Sequence, residues 1–121
     1  MIRQDFIMNQ IEELSKKIAR LLRKKENHEP DIDTTTDECY GDLKLNLMTI
    51  TNETTEDIIE KIPQWELLEL LVTIMINDDR INTNREMMKK AQEILFYVQE
   101  KDKTWSFERT QLSGRLSKIL K

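Results

Sequence analysis

His28 is the only histidine of this 121-residue chain and Cys39 the only cysteine. Together they bound its side-chain chemistry. Zinc motifs of the HExxH kind need two histidines on one helix face, so none can be written here. One cysteine allows no internal disulfide, which fits a reducing compartment. A Cys39–His28 couple is conceivable, but both residues fall in or beside one loop, with no third group to orient the imidazole and no sign of an oxyanion hole. A serine triad would also need His28, and no serine lies in an elbow motif. Gly41 and Gly114 are isolated, so no glycine loop can cradle a phosphate.

Carboxylates offer one further pattern. In Asp31–Asp42, DIDTTTDECYGD, three aspartates (Asp31, Asp33, Asp37) fall at ligand positions of a calcium loop, with Asp42 at the twelfth. Thr36 stands where that loop needs glycine, and aspartate is a poorer bidentate ligand than glutamate. The adjacent pair Asp78 and Asp79 points in different directions and reads as a helix end or turn. The expectation is a protein that is not an enzyme and holds no metal or cofactor.

Charge is unevenly distributed within the net −4. Residues 1–25 carry seven basic and three acidic groups, +4; residues 26–80 carry three and fifteen, −12; residues 81–121 carry nine and five, +4. The favoured reading folds both basic ends against the acidic middle. The alternative keeps a basic face free for a partner. The densest cluster is Lys16, Lys17, Arg20, Arg23, Lys24 and Lys25. A second comprises Arg109, Arg115, Lys118 and Lys121. Side by side, they would make one face suited to nucleic acid. An overall pI of about 5.1 and the lack of a helix-turn-helix pattern place that reading second.

The elements that must position these groups are helices. Two glycines and two prolines are too few for a sheet protein, and Leu, Ile, Lys, Glu and Met are abundant. A first helix is expected over about Arg3–Lys25, with Ile7, Ile11, Leu14, Ile18 and Leu21 in a heptad stripe widened by Phe6, Ala19 and Leu22. Residues 26–36 read as a flexible loop. A second helix is expected over Asp37–Met48, a polar break at 49–54, and a short helix over Glu56–Ile62 capped by Thr54 or Thr55. Trp65–Asn77 is apolar on nearly every side, the mark of a central buried helix. Thr83 and Glu86 form a capping box for a helix with Met87, Met88, Ala91, Ile94, Leu95 and Val98 inward. A last helix spans about Trp105–Leu120, with Trp105, Leu112, Leu116 and Ile119 at helical spacing. Short linkers at 78–83 and 102–104 make consecutive helices antiparallel neighbours. The fold class is therefore all-α, an antiparallel bundle or short array of helical hairpins with about five to six helices in a single domain over 1–121.

The heptad stripe has two readings. It docks the first helix on its own domain, or it is a dimer seam or partner-docking face. The candidate interaction surface is Ile7, Ile11, Leu14, Ile18 and Leu21, with Lys16, Lys17, Arg20, Arg23 and Lys24 beside them. The expected function is a non-catalytic protein-protein interaction or scaffold module, binding an outside protein or a second copy of itself. The alternative is a nucleic-acid-associated regulator. The longest near-apolar run, Trp65–Ile76, contains Glu66 and Glu69 and is too short to span a bilayer. With Arg3, Gln4 and Asp5 at the start and no apolar leader, a cytoplasmic protein is expected.

The opening Met1-Ile2-Arg3-Gln4-Asp5-Phe6-Ile7, followed by Ile11-Glu12, resembles a family of small bacterial proteins of unknown function that begin MIRQD[FY]I. The likeness is specific over about the first 20 residues and looser through the leucine-rich middle around Trp65–Leu71. It implies a cytoplasmic bacterial protein with hairpins similar to tetratricopeptide repeats. It brings no catalytic residue, cofactor or substrate. The polar segments 31–36 and 49–55 depart from a regular repeat. Read physically, Ile2, Phe6 and Ile7 would anchor the first turn, Asp5 would meet its positive dipole end, and Arg3 and Gln4 would cap or contact a neighbour.

Overall fold

The computed structural model describes residues 2–121, with side chains from residue 6 onward. Among the described residues it contains seven α-helices and no strand: α1 (Ile2–Glu26), α2 (Ile32–Asp42), α3 (Leu47–Asn52), α4 (Thr55–Lys61), α5 (Trp65–Asn77), α6 (Arg85–Lys101) and α7 (Phe107–Leu120). The side chains of Ile2, Arg3, Gln4 and Asp5, expected to anchor or cap the first turn, lie outside the described residues.

The all-round apolar segment is α5, and it packs against α1, α2, α6 and α7. Leu67, Leu68, Leu71, Val72, Ile74, Met75 and Ile76 are all buried on it. A helix packed on most sides leaves little surface to water, which is why its sequence is largely apolar; only Trp65, Glu66, Glu69, Leu70 and Thr73 stay partly open.

Side-chain contacts fix the helix directions. Phe6 near the start of α1 shares a recess with Gln64 and Leu67 at the start of α5. At the other end Lys25 donates to the Asn77 carbonyl at 2.6 Å. So α1 and α5 run the same way. Arg109 in the first turn of α7 meets Glu69, and Arg115 reaches Asn77, so α7 runs with them too. Lys17 meets Asp42 while Lys24 meets Asp31, which sets α2 antiparallel to α1. A short turn reverses α5 into α6. The result is two hairpins, α1/α2 and α5/α6, with α7 packed on the second. Short helices α3 and α4 bridge the hairpins. Thr55 donates to Glu93 of α6, and Lys90 of α6 donates to the Ile50, Thr51 and Glu53 carbonyls at the end of α3.

Several boundaries differ from expectation. The segment read as a flexible loop, 26–36, is a connection only to Asp31; α2 begins at Ile32. Thr35 and Thr36 are buried and return their hydroxyls to the carbonyls of Asp31 and Ile32. Threonine is tolerated there because that back-bond satisfies it inside a helix. The expected Asp37–Met48 helix stops at Asp42, and a separate α3 starts behind the Asn46 cap, which accepts from the Thr49 amide. The count is therefore seven helices, not five to six. Thr54 caps α4 as expected. The α6 cap is Asn84, accepting from the Met87 amide, one residue after the Thr83 expected for it. The α7 cap is Ser106, which leaves Trp105 outside the helix and 73% exposed instead of in its buried stripe. Phe6 is 67% exposed and anchors nothing.

Two helix ends use the same left-handed device. Glu29 donates its amide to the Lys24 carbonyl and His28 to Lys25, with His28 at φ 55°; Leu45 donates to Tyr40 and Lys44 to Gly41, with Lys44 at φ 59°. Both are Schellman motifs, whose left-handed position favours glycine because a Cβ crowds the carbonyl there. His28→Gly and Lys44→Gly are each expected to raise stability by up to about 1 kcal/mol, seen as a higher urea midpoint at unchanged m-value.

Candidate functional site

The heptad stripe of α1 divides between two surroundings. Leu14, Ile18 and Leu21 are in the core, and Leu14 has no exposed area. Ile11 is partly buried against the same core, and Ile7 is half-buried. At 100° per residue, Leu14 and Leu21 point nearly the same way, into the core. These residues fill the domain and are not a free surface, contrary to their reading as a docking seam. The widening residues Ala19 and Leu22 lie farther round the helix and stay exposed.

Most of the basic strip is engaged as well. Lys17 meets Asp42 at 2.7 Å and Lys25 meets Asp79 at 3.0 Å, while Lys24 pairs with Asp31. The hydrogen bond to Asp42 raises the Lys17 pKa. Lys16 pairs within its own helix with Glu12 and Glu13. Arg20 and Arg23 are exposed, with no ion pair among the described residues. In the second cluster, Arg109 is buried between Glu69 at 2.7 Å and Asp102 at 2.8 Å, over the Trp65 ring. Burial opposes its charge, but the hydrogen bonds to Asp102 and Glu69 outweigh that, so its pKa is raised. Lys17, Lys24 and Lys25 thus fold the N-terminal basic segment against the acidic middle, as favoured from the charge pattern, whereas of the C-terminal segment Arg109 alone forms an ion pair with it among the described residues.

The residues singled out for chemistry go separate ways. Cys39 is fully buried, and desolvation pushes its thiol up to about 11, away from the thiolate a nucleophile needs. His28 is exposed in the connection before α2, and no hydrogen bond joins the two. Of the calcium-like series, Asp31 goes to Lys24, Asp37 to Arg80 and Asp42 to Lys17. Among the described residues, no group of three or more His, Cys, Asp or Glu converges to hold a metal ion.

What the helices do assemble is a cleft. Because α1 and α7 run alongside α5 on its two sides, a trough of about 410 Å³ opens between them. Ser15, Ile18, Ala19 and Leu22 form the α1 wall; Leu70 and Thr73 lie on the α5 floor; Gln111, Leu112 and Arg115 form the α7 wall. Ile18, Leu112 and Asn77 are buried in it, Leu70 and Thr73 are half-buried, and Ser15, Ala19, Leu22, Glu108, Gln111 and Arg115 are exposed. Glu69 and Glu108 mark one end, Asn77 and Arg115 the other. A smaller hollow lined by Gln111, Gly114, Arg115 and Lys118 adjoins the basic end. Arg109, held by Glu69 and by the Asp102 and Thr104 carbonyls, fixes the start of α7 against α5 and so sets the trough's width there.

The chain matches no family model, no curated protein and no solved structure.

The trough is therefore read on its own geometry. Among its residues only Ile18 belonged to the expected surface. The signal that could have found the α1 wall is Ser15, Ala19 and Leu22, which repeat at helical spacing beside the core stripe and make the apolar arc too wide for one neighbour. Nothing in the local sequence marks the α7 wall, whose members are mostly polar and are placed by the Arg109 anchor. No helix among the described residues is long and apolar enough to cross a membrane.

Proposed function

We propose that this chain is a non-catalytic protein-interaction module and that the trough between α1, α5 and α7 receives its partner. The observation that carries the reading is an open trough whose lining includes the apolar residues Ile18, Ala19, Leu22, Leu70 and Leu112. Leu22 is 40% exposed there. Contiguous exposed apolar surface rimmed by polar groups marks interaction sites. The docking face is then the flank of α1 that carries Ala19 and Leu22, next to the stripe first considered. We read the hairpins as a short tetratricopeptide-like array, with α1, α5 and α7 as the inner helices and α2 and α6 as the outer ones. The likeness of the opening residues to small bacterial proteins supports a bacterial, cytoplasmic setting for the same role.

A photo-crosslinking residue at Ala19 is expected to give a discrete protein adduct in cells. The same residue at Lys89, on the exposed face of α6, is expected to give none, and Leu22→Gln should abolish the Ala19 adduct. Equal adducts from both positions, or none from Ala19, would count against the trough as a docking face.

A further inference from the structure

We propose that the trough takes one amphipathic helix of a partner protein, antiparallel to α1, α5 and α7, with its acidic first turn beside Arg115 and its basic last turn beside Glu108. This rests on the reading of the trough as a docking face and adds the occupant and its direction.

Charge sets the direction. Glu108 stands at one end of the trough, beside Glu69, which is already paired with Arg109; Arg115 stands at the other, with Lys118 in the adjoining hollow. Helices favour acids in their first turn and bases in their last, opposite the partial charges of the unpaired backbone groups. Laid antiparallel, such a helix meets opposite charges at both ends. Laid parallel, it meets like charges at both. Complementarity of this kind fixes register and partner choice more than raw affinity. The dipoles agree: the three trough helices point one way, and an antiparallel fourth opposes them.

Shape sets the class of occupant. Ser15 and Ala19, one turn apart and exposed, let another backbone come close, while Leu22 and Leu70 receive apolar side chains. From Ser15 to Leu22 the wall runs about 10 Å, or roughly two helical turns. That length matches apolar anchors at i, i+4 and i+7 of a docked helix. An extended proline-rich segment would want an aromatic-lined groove. The exposed aromatics Trp105 and Phe107 lie outside this lining.

The test is selection of a displayed library of helix-length random peptides on the full chain, with counter-selection on an Ala19→Gln/Leu22→Gln variant. Enriched peptides are expected to carry apolar residues at i, i+4 and i+7, acids toward the N-terminus and bases toward the C-terminus. Glu108→Lys combined with Arg115→Glu should weaken them by about ten-fold or more, and reversing the peptide's charges should restore binding. Trough-dependent peptides with other spacing, or with the opposite polarity, would overturn the antiparallel helix and leave the interaction reading standing. A library that yields no trough-dependent peptide would overturn both.

Discussion

Leu14→Asp is expected to unfold the domain. Leu14 has no exposed area and sits where α1 meets the central bundle. Removing a buried leucine side chain alone costs about 2–5 kcal/mol. A carboxylate in its place adds the penalty of burying a charge with no partner, a further several kcal/mol. Domains of this size have a total stability of about 5–15 kcal/mol, so the sum consumes most or all of it. Leu22→Asp, the next residue after Leu21 and about 100° round the helix from it, is expected to cost under about 1 kcal/mol, because its side chain is already 40% exposed. The two variants separate folding from docking on a single helix. Far-UV circular dichroism with urea titration reads the difference. Native helicity and an unchanged urea midpoint for Leu14→Asp would show that α1 does not dock on α5 as described.

That contrast also marks how far the sequence was legible. The strongly periodic segments were. The largely apolar α5 and the inward stripe of α6 announce their burial, and both occupy the core; the α1 heptad leaves docking on its own domain and a partner seam both open, and Leu14, Ile18 and Leu21 take the first. The charge segregation points to the basic ends folding on the acidic middle, which the N-terminal segment does and, of the C-terminal one, Arg109. The first half was harder because its helices are short and built from threonine and asparagine. These residues cap and break helices as readily as they continue them, so periodicity alone runs α2 into α3 and misplaces their starts. The trough was not legible as a site. It arises where three helices fail to close over a gap, and that depends on directions no local pattern records. The expected surface lay on the correct helix, yet Leu14 and Leu21 are buried in the core and only Ile18 reaches the trough.

Asp78→Ala is expected to be the most damaging polar change, at about 3–5 kcal/mol, the range for breaking a buried charged pair. Asp78 is 1% exposed and closes the turn after α5. Its Oδ1 accepts the Arg80 amide at 3.0 Å and Nε at 2.9 Å; its Oδ2 accepts the Tyr40 hydroxyl at 2.8 Å. Arg80 in turn donates to Asp37 at 2.8 Å. One carboxylate therefore ties the α5–α6 turn to α2, across 38 residues of chain. In its absence the fully buried Tyr40 hydroxyl loses this acceptor. Tyr40→Phe is expected to cost less, about 1–2 kcal/mol, since Arg80 still satisfies Asp78. The double variant should fall short of the sum by about 0.5–3 kcal/mol, as contacting residues do. The tyrosine adds a pH signature. Burial first, and the Asp78 charge next, push its pKa up. The unfolded chain releases that proton near the ordinary tyrosine value of about 10 while the folded chain keeps it. Its stabilising contribution is therefore complete below that pH and is lost as pH rises above it. Tyr40→Phe should flatten that alkaline slope. An equal slope in wild type and Tyr40→Phe, or additive losses in the cycle, would show that the phenol and carboxylate do not act as one unit.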